Sequence, residues 1–378
     1  MAAISPRLAA LTAAAMALPG VHVRAADAPG ENPWAVDATH LEYSESGHRM
    51  SVRVNQASAN VPLGENIQLK GNFIQDLMSG ASPIFNAPGP GGKTQQVLTG
   101  ASVFDNRKAG DIGISASFGD GQATLRQGWS KENDYKSRWN SIEGRWDLNQ
   151  KSTTLAAGVA FSDDGVSSHD APDDFQTRLK RDLFVGVTQV LNERSLVAVS
   201  LAHSYTNGFL SDPYKLVFVQ SGGLLPDARP GHRQQTAVTA KYITYIPAID
   251  SALHLTGSLS SDSWGIHSGA LELQWKKELP AEWLVNAGGR YYTQSSADFY
   301  APLYLSQPGD LHSSDYRVAG FGSIGWLAGV TKQVTPNFSV QIAAERTYRR
   351  SALRSGGVGI DADNYIWGLY LVTLQARF

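Results

Sequence analysis

The C-terminal stretch constrains this chain most. Ile366, Gly368, Tyr370, Val372, Leu374, Ala376 and Phe378 alternate with Thr373, Gln375 and Arg377. A period of two is the signature of an extended strand with one apolar and one polar face. A pattern of this kind ending on an aromatic residue fits the closing strand of a transmembrane barrel, or an ordinary half-buried edge strand. The rest of the chain decides between them.

The same alternation recurs from Thr39 onward. Thr39, Leu41 and Tyr43 open it, and Met50, Val52 and Val54 alternate with Arg49, Ser51 and Arg53. Ile67, Leu69 and Phe73 alternate with Gln68, Lys70 and Asn72, and Ile112, Ile114, Ala116 and Phe118 with Asp111, Gly113, Ser115 and Ser117. Later rows run through Leu125 and Trp129, Ile142 and Trp146, Leu155 and Phe161, Leu183 and Val187, and Val197 and Leu201. They continue through Val238 and Tyr242, Leu253 and Leu259, Leu271 and Trp275, Trp283 and Tyr291, Ile324 and Trp326, and Phe338 and Ile342. With the C-terminal stretch this makes about 16 segments.

Short connections alternate with long ones. Gly119-Asp120-Gly121 and Asn192-Glu193-Arg194 read as tight turns, as do residues 147–151, 247–250, 278–282 and 332–337. Residues 76–106, 162–177, 207–231, 294–314 and 349–363 read as long loops. A soluble sandwich has no reason to segregate its loops in this way, whereas an up-and-down transmembrane barrel has short periplasmic turns on one rim and long extracellular loops on the other. An even strand count puts both termini on the short-turn rim. Closure follows from backbone chemistry, because an open sheet edge in hydrocarbon leaves polar groups unpaired. Trp129, Trp146, Trp275, Trp283, Tyr242, Tyr291 and Tyr370 lie toward strand ends on the apolar face, where an interfacial girdle would place them. The expected fold is an all-β transmembrane antiparallel barrel over 38–378, with the final strand pairing with the first near Thr39 to Tyr43.

The N-terminus reads as an export signal. Arg7 precedes an Ala- and Leu-rich run from Leu8 to Pro19, and Val23-Arg24-Ala25 offers small residues for cleavage after Ala25. The expected division is a signal peptide over 1–25, a short segment over 26–37 and the barrel. The 378 residues include no cysteine, which excludes disulfides and thiolate metal sites. No mature stretch has the 18 or so continuous apolar residues of a membrane helix, which says nothing against barrel strands. The formal net charge of −2 gives nucleic-acid binding no electrostatic support.

The polar parity should face the lumen. It carries Arg53, Lys70, Arg126, Glu143, Arg145, Lys180, Asp182, Lys241, Glu272, Arg290 and Glu345. Both signs are interspersed, which fits internal ion pairs or a weakly selective channel, and about 16 strands leave room for water. No Gly-x-Ser-x-Gly elbow or His-Glu-x-x-His motif is present, so no catalytic, cofactor or metal residue is assigned and no enzyme is expected. Asp163, Asp164, His169, Asp170, Asp173 and Asp174 share one loop that could offer carboxylates to a divalent cation. Solvation is the simpler reading of that loop, and of Asp361 and Asp363.

Three runs stand apart: Asn207-Gly208-Phe209-Leu210-Ser211-Asp212-Pro213-Tyr214-Lys215, Ser79-Gly80-Ala81-Ser82-Pro83 and Ser313-Ser314-Asp315-Tyr316-Arg317. In these runs the chain resembles a family of Gram-negative exported outer-membrane β-barrel proteins of unknown function, with the first run as its signature. The resemblance covers the whole mature chain and implies location in the outer membrane and a small lipoprotein as partner, but no substrate or active site. The expected function is a porin-like channel. The alternatives are a non-conducting scaffold that binds a partner at its surface, or an outer-membrane enzyme. A monomer in contact with outer-membrane lipid and lipopolysaccharide is expected. Tyr370 and Phe378 on the last strand are expected to signal to the barrel assembly machinery.

Overall fold

The computed structural model describes residues 34–47, 49–98, 103–168, 171–355 and 359–378. The expected signal peptide lies outside them, as do His169 and Asp170. In chain order the strands are β1 (Ala35–Glu45), β2 (Met50–Leu63), β3 (Ile67–Gly80), β4 (Pro83–Pro88), β5 (Thr94–Leu98), β6 (Val103–Phe118) and β7 (Gly121–Lys131). They continue with β8 (Tyr135–Leu148), β9 (Thr153–Ser168), β10 (Ala171–Asn192), β11 (Ser195–Gly208), β12 (Leu216–Val219), β13 (Gly223–Pro226) and β14 (His232–Ile246). The last six are β15 (Ser251–Asp262), β16 (His267–Leu279), β17 (Trp283–Gln294), β18 (Phe321–Thr335), β19 (Phe338–Arg350) and β20 (Tyr365–Arg377). Sixteen of these form a closed barrel, while β4 with β5 and β12 with β13 form separate two-stranded hairpins.

Closure joins the ends of the chain. β1 pairs antiparallel with β20, Thr39 opposite Thr373 and Tyr43 opposite Leu369. The two threonine hydroxyls hydrogen-bond at 2.9 Å. Beyond the strand ends, Trp34 and Phe378 exchange backbone hydrogen bonds of 3.1 and 2.9 Å. No strand of the barrel therefore keeps a free edge, as a bilayer interior demands.

Register identifies the two faces. Leu255 lies opposite Tyr242 and Leu273, and all three are exposed. Thr256 lies between Lys241 and Glu272. Trp129, Trp146, Trp283, Tyr291 and Tyr370 are also exposed on the apolar wall. An apolar wall this extensive is stable only against hydrocarbon.

The turns at one rim are short. Asn149, Gln150 and Lys151 have φ of 52, 58 and 66°, and Ala281 and Glu282 both have 59°. Left-handed backbone of this kind matches the twist of the flanking strands. Among the described residues the long connections are 81–98, 209–231, 295–320, and 351–355 with 359–364, at the opposite rim.

Two expectations are corrected. The expected loops 76–106 and 162–177 are largely strand: β3 runs to Gly80, β6 begins at Val103, β9 runs to Ser168 and β10 starts at Ala171. Gly, Ser, Asp and Pro interrupt the alternation at these strand ends, while backbone pairing continues. Arg53 faces outward rather than into the lumen. It lies opposite Glu42 and Leu77, on the face of exposed Phe73. Val52 and Val54 point inward and join Leu41, Tyr43, Met78, Leu369 and Leu371 in a buried apolar cluster. On this sector the apolar side chains pack inside, reversing the parity rule.

Candidate functional site

The three runs that carry the family resemblance meet in space. Residues 81–98 rise between the third and fourth strands of the ring, 209–231 between the ninth and tenth, and 295–320 between the thirteenth and fourteenth. Segments anchored so far apart touch only by crossing the barrel mouth. Together they form a cap.

The signature run is its keystone. Gly208 ends β11 at φ +121°, where a Cβ would lie 2.2 Å from the Thr177 carbonyl oxygen, so any side chain would force the two strands apart. The next residue, Phe209, donates its backbone N–H to that same carbonyl at 3.0 Å. Asp212 accepts from the Tyr214 N–H at 2.9 Å and from the Arg317 guanidinium. Lys215 Nζ donates to Ser82 Oγ at 3.1 Å and to the Pro83 carbonyl. Asn86 donates to the Ser314 carbonyl at 3.2 Å, and Ser314 Oγ to the Leu216 carbonyl at 3.1 Å.

An ion network runs through this contact. Arg317 Nε donates to Asp315 at 2.7 Å. Arg229 donates to Asp227 and to Asp315, each at 2.7 Å. These four side chains and Asp212 are buried. Burial pushes the Asp315 carboxyl up, but Arg317, Arg229 and Lys215 outweigh it and hold Asp315 well below the ordinary carboxylate range. Asp212 is likewise lowered, its burial outweighed by Arg317 and Lys215. Buried charges persist only when paired and hydrogen-bonded, and here two arginine forks supply both.

Further contacts tie the other connections in. Gln96 Nε2 donates to Asp363 Oδ1 at 2.6 Å and Tyr300 OH to Asp363 Oδ2 at 3.3 Å. Arg49 donates to Gln96 and pairs with Glu45 at 3.0 Å. Leu210, from the signature run, packs on a buried cluster of Trp264, Ile266, Ala297, Tyr300, Val318 and Ala319. At the cap edge Tyr214 OH donates to Asp134. Asp134, Asp105 and Glu132 bring carboxylate oxygens within 4.8 Å of one another. Burial and the adjoining Asp105 push the Glu132 carboxyl up to about 10, so it is protonated at neutral pH.

Below the cap, the structure turns ten of the eleven expected charges into the lumen. Arg126 pairs with Asp111, Arg145 with Asp147 at 3.1 Å, and Lys180 with Asp182 at 2.8 Å. Glu272 lies opposite Arg290 in register. Glu345 accepts from Thr347 at 2.9 Å. Lys70, Glu143 and Lys241 share this inner face. The expected acidic group disperses: Asp164 pairs with Arg178 at 2.8 Å, while Asp163, Asp173 and Asp174 are exposed.

Sequence reading marked Asp212, Lys215, Asp315 and Arg317 as members of distinctive runs, without showing that the runs touch. It missed Asp227, Glu132 and Asp105. Asp227 stands two residues before Arg229, and that Asp-x-Arg spacing repeats in Asp315-Tyr316-Arg317, a signal that could have linked the two loops.

The fold is shared with outer-membrane barrels of known structure. A bacterial polysaccharide outer membrane secretin aligns at TM-score 0.55 and 10% identity, over 92% of this chain and 99% of that one. CdiB from Acinetobacter baumannii aligns at TM-score 0.51 and 7% identity over 90% of this chain, which spans 60% of that one. At such identities the likeness is one of fold. No curated protein matches the chain by sequence. A family model described as "Protein of unknown function (DUF3570)" matches residues 8–360. The chain therefore belongs to the DUF3570 family.

Proposed function

We propose that this protein sits in the outer membrane of a Gram-negative bacterium and acts as a channel for small polar solutes, its outer mouth narrowed by the cap. The observation that carries this reading is the inner wall of β14 to β17. Lys241 and Arg290 project into the barrel with no carboxylate oxygen within 4.0 Å among the described residues. Charged groups held without an ion pair favour contact with water, which supports a wet lumen along these strands. The mixture of signs argues for weak ion selectivity.

The cap supports one other reading. A mouth crossed by buried, ion-paired loops also suits a non-conducting scaffold that presents those loops to a partner, such as the lipoprotein that the resemblance implies. Single-channel recording in planar bilayers separates the two. The channel reading expects small, steady conductance from the folded protein and larger steps once residues 209–231 are shortened to a tight turn. Silence from both forms would leave the scaffold.

A further inference from the structure

The outer wall carries a feature that conduction does not use. Lys108 on β6 lies directly opposite Lys131 on β7, and Lys131 directly opposite Lys136 on β8. Three like charges thus stand in one cross-strand row, and Arg138 follows Lys136 two residues on, opposite Trp129. All four are exposed, and none has a carboxylate partner within 4.0 Å among the described residues. The acidic residue in register with the group is Asp163, opposite Arg138. Like charges directly opposite one another on adjacent strands repel. Anions brought against such a row from outside the chain relieve that repulsion.

Position selects the anion. The row shares its face with exposed Trp129, Ile112 and Leu125, so it looks away from the lumen. Lys131 is two residues beyond Trp129, or about 7 Å along a strand. That places the ammonium groups just above an aromatic girdle, at the level of lipid headgroups. Phe175 stacks under Lys136, its ring centre 3.8 Å from Nζ. A concavity of about 1090 Å³ lies here, lined by Phe73, Trp129, Lys131, Lys136, Arg138 and Phe175, with Asp163 at the Arg138 side. A cationic rim above an apolar and aromatic floor matches a ligand with phosphates at one end and acyl chains below.

We propose that Lys108, Lys131, Lys136 and Arg138 form a binding site for the phosphates of an outer-leaflet glycolipid, lipopolysaccharide, whose acyl chains lie along the wall below Trp129. The site rests on the outer-membrane reading, with the long-loop rim facing outward. Charge complementarity carries it: four cations stand together against one carboxylate in register, Asp163, on the rim where that leaflet exposes phosphate.

The test uses the purified, folded barrel in detergent. Binding is measured to lipopolysaccharide, to the same glycolipid with its phosphates removed, to phosphatidylglycerol and to inorganic phosphate. The expected result is retention of lipopolysaccharide, with at least tenfold weaker binding for the triple variant Lys108→Gln, Lys131→Gln, Lys136→Gln and for the dephosphorylated ligand. Matched changes at the opposite rim, Lys151→Gln, Lys277→Gln and Lys332→Gln, should leave binding unchanged. Heat-modifiable gel migration shows that each variant is folded, and Lys131→Gln alone serves if the triple variant is not. Equal binding by the wild type and the folded variant, or equal binding of phosphatidylglycerol, would overturn the proposal. Free phosphate as an efficient competitor would also overturn it, because the acyl floor would then contribute nothing. Failure of the outer-membrane reading has a different signature: recovery of the protein from the periplasm without detergent.

Discussion

Arg317 is where the cap can be undone with one substitution. Its guanidinium joins Asp212 in one long loop to Asp315 in another, and all three side chains are buried. In Arg317→Ala, Asp315 keeps Arg229 at 2.7 Å, but Asp212 loses its ion-pair partner. Removing one member of a buried pair typically costs about 3–5 kcal/mol. If that cost falls on the capped state alone, the opening equilibrium shifts by roughly two to three and a half powers of ten, at about 1.4 kcal/mol per tenfold change. The barrel keeps its sixteen-strand closure, so heat-modifiable migration should be unchanged while residues 209–231 become open to protease and conductance rises. Arg317→Met combined with Asp212→Asn should cost less than Arg317→Ala alone, because no buried charge is then left unpaired. The wild-type pairing is present above the ordinary carboxylate range and is lost only as pH falls through the depressed values of Asp315 and Asp212. Unchanged protease resistance and conductance in Arg317→Ala would refute the argument that this network holds the cap.

Two further outcomes follow from the same physics. Leu255→Arg, on the exposed apolar face, should destabilise the folded barrel by about 2–4 kcal/mol, while Thr256→Arg, between Lys241 and Glu272, should be tolerated better; equilibrium refolding into lipid vesicles measures both, and equal damage would deny the assigned faces. Glu132, with its carboxyl pushed up to about 10 from an ordinary 4.5, binds its proton more tightly folded than unfolded. Stability should therefore be greatest below pH 4.5 for this group and fall as pH rises toward 10. Glu132→Gln should flatten that fall in a series of unfolding measurements from pH 5 to 9, and an unchanged slope would count against the buried protonated carboxyl.

Much of the barrel was legible in the residues themselves. A strand that meets hydrocarbon on one side and a wet lumen on the other must alternate, and the alternation from Leu253 to Leu259 or Trp283 to Tyr291 records that. The alternation fails where the surroundings change. Lys136 and Arg138 lie past the apolar band, so their strand continues without the pattern that would announce it. Val52, Val54, Leu41 and Leu371 alternate correctly but face inward onto one another, which put Arg53 on the wrong side. Periodicity gives the existence of two faces; only packing says which one is outside.

The cap shows the same division more sharply. The sequence by itself determined a β-barrel with about sixteen spans, closure of the last strand on the first and a set of distinctive loop residues, because each depends on local period, turn chemistry and the need to satisfy backbone groups. Only the tertiary structure decided that Asp212, Lys215, Arg229, Asp315 and Arg317 meet, and that Lys108, Lys131 and Lys136 form a row. Those groupings depend on which strands are neighbours and in what register, and on where loops anchored across the ring fold to. Such long-range terms leave no periodic trace along the chain.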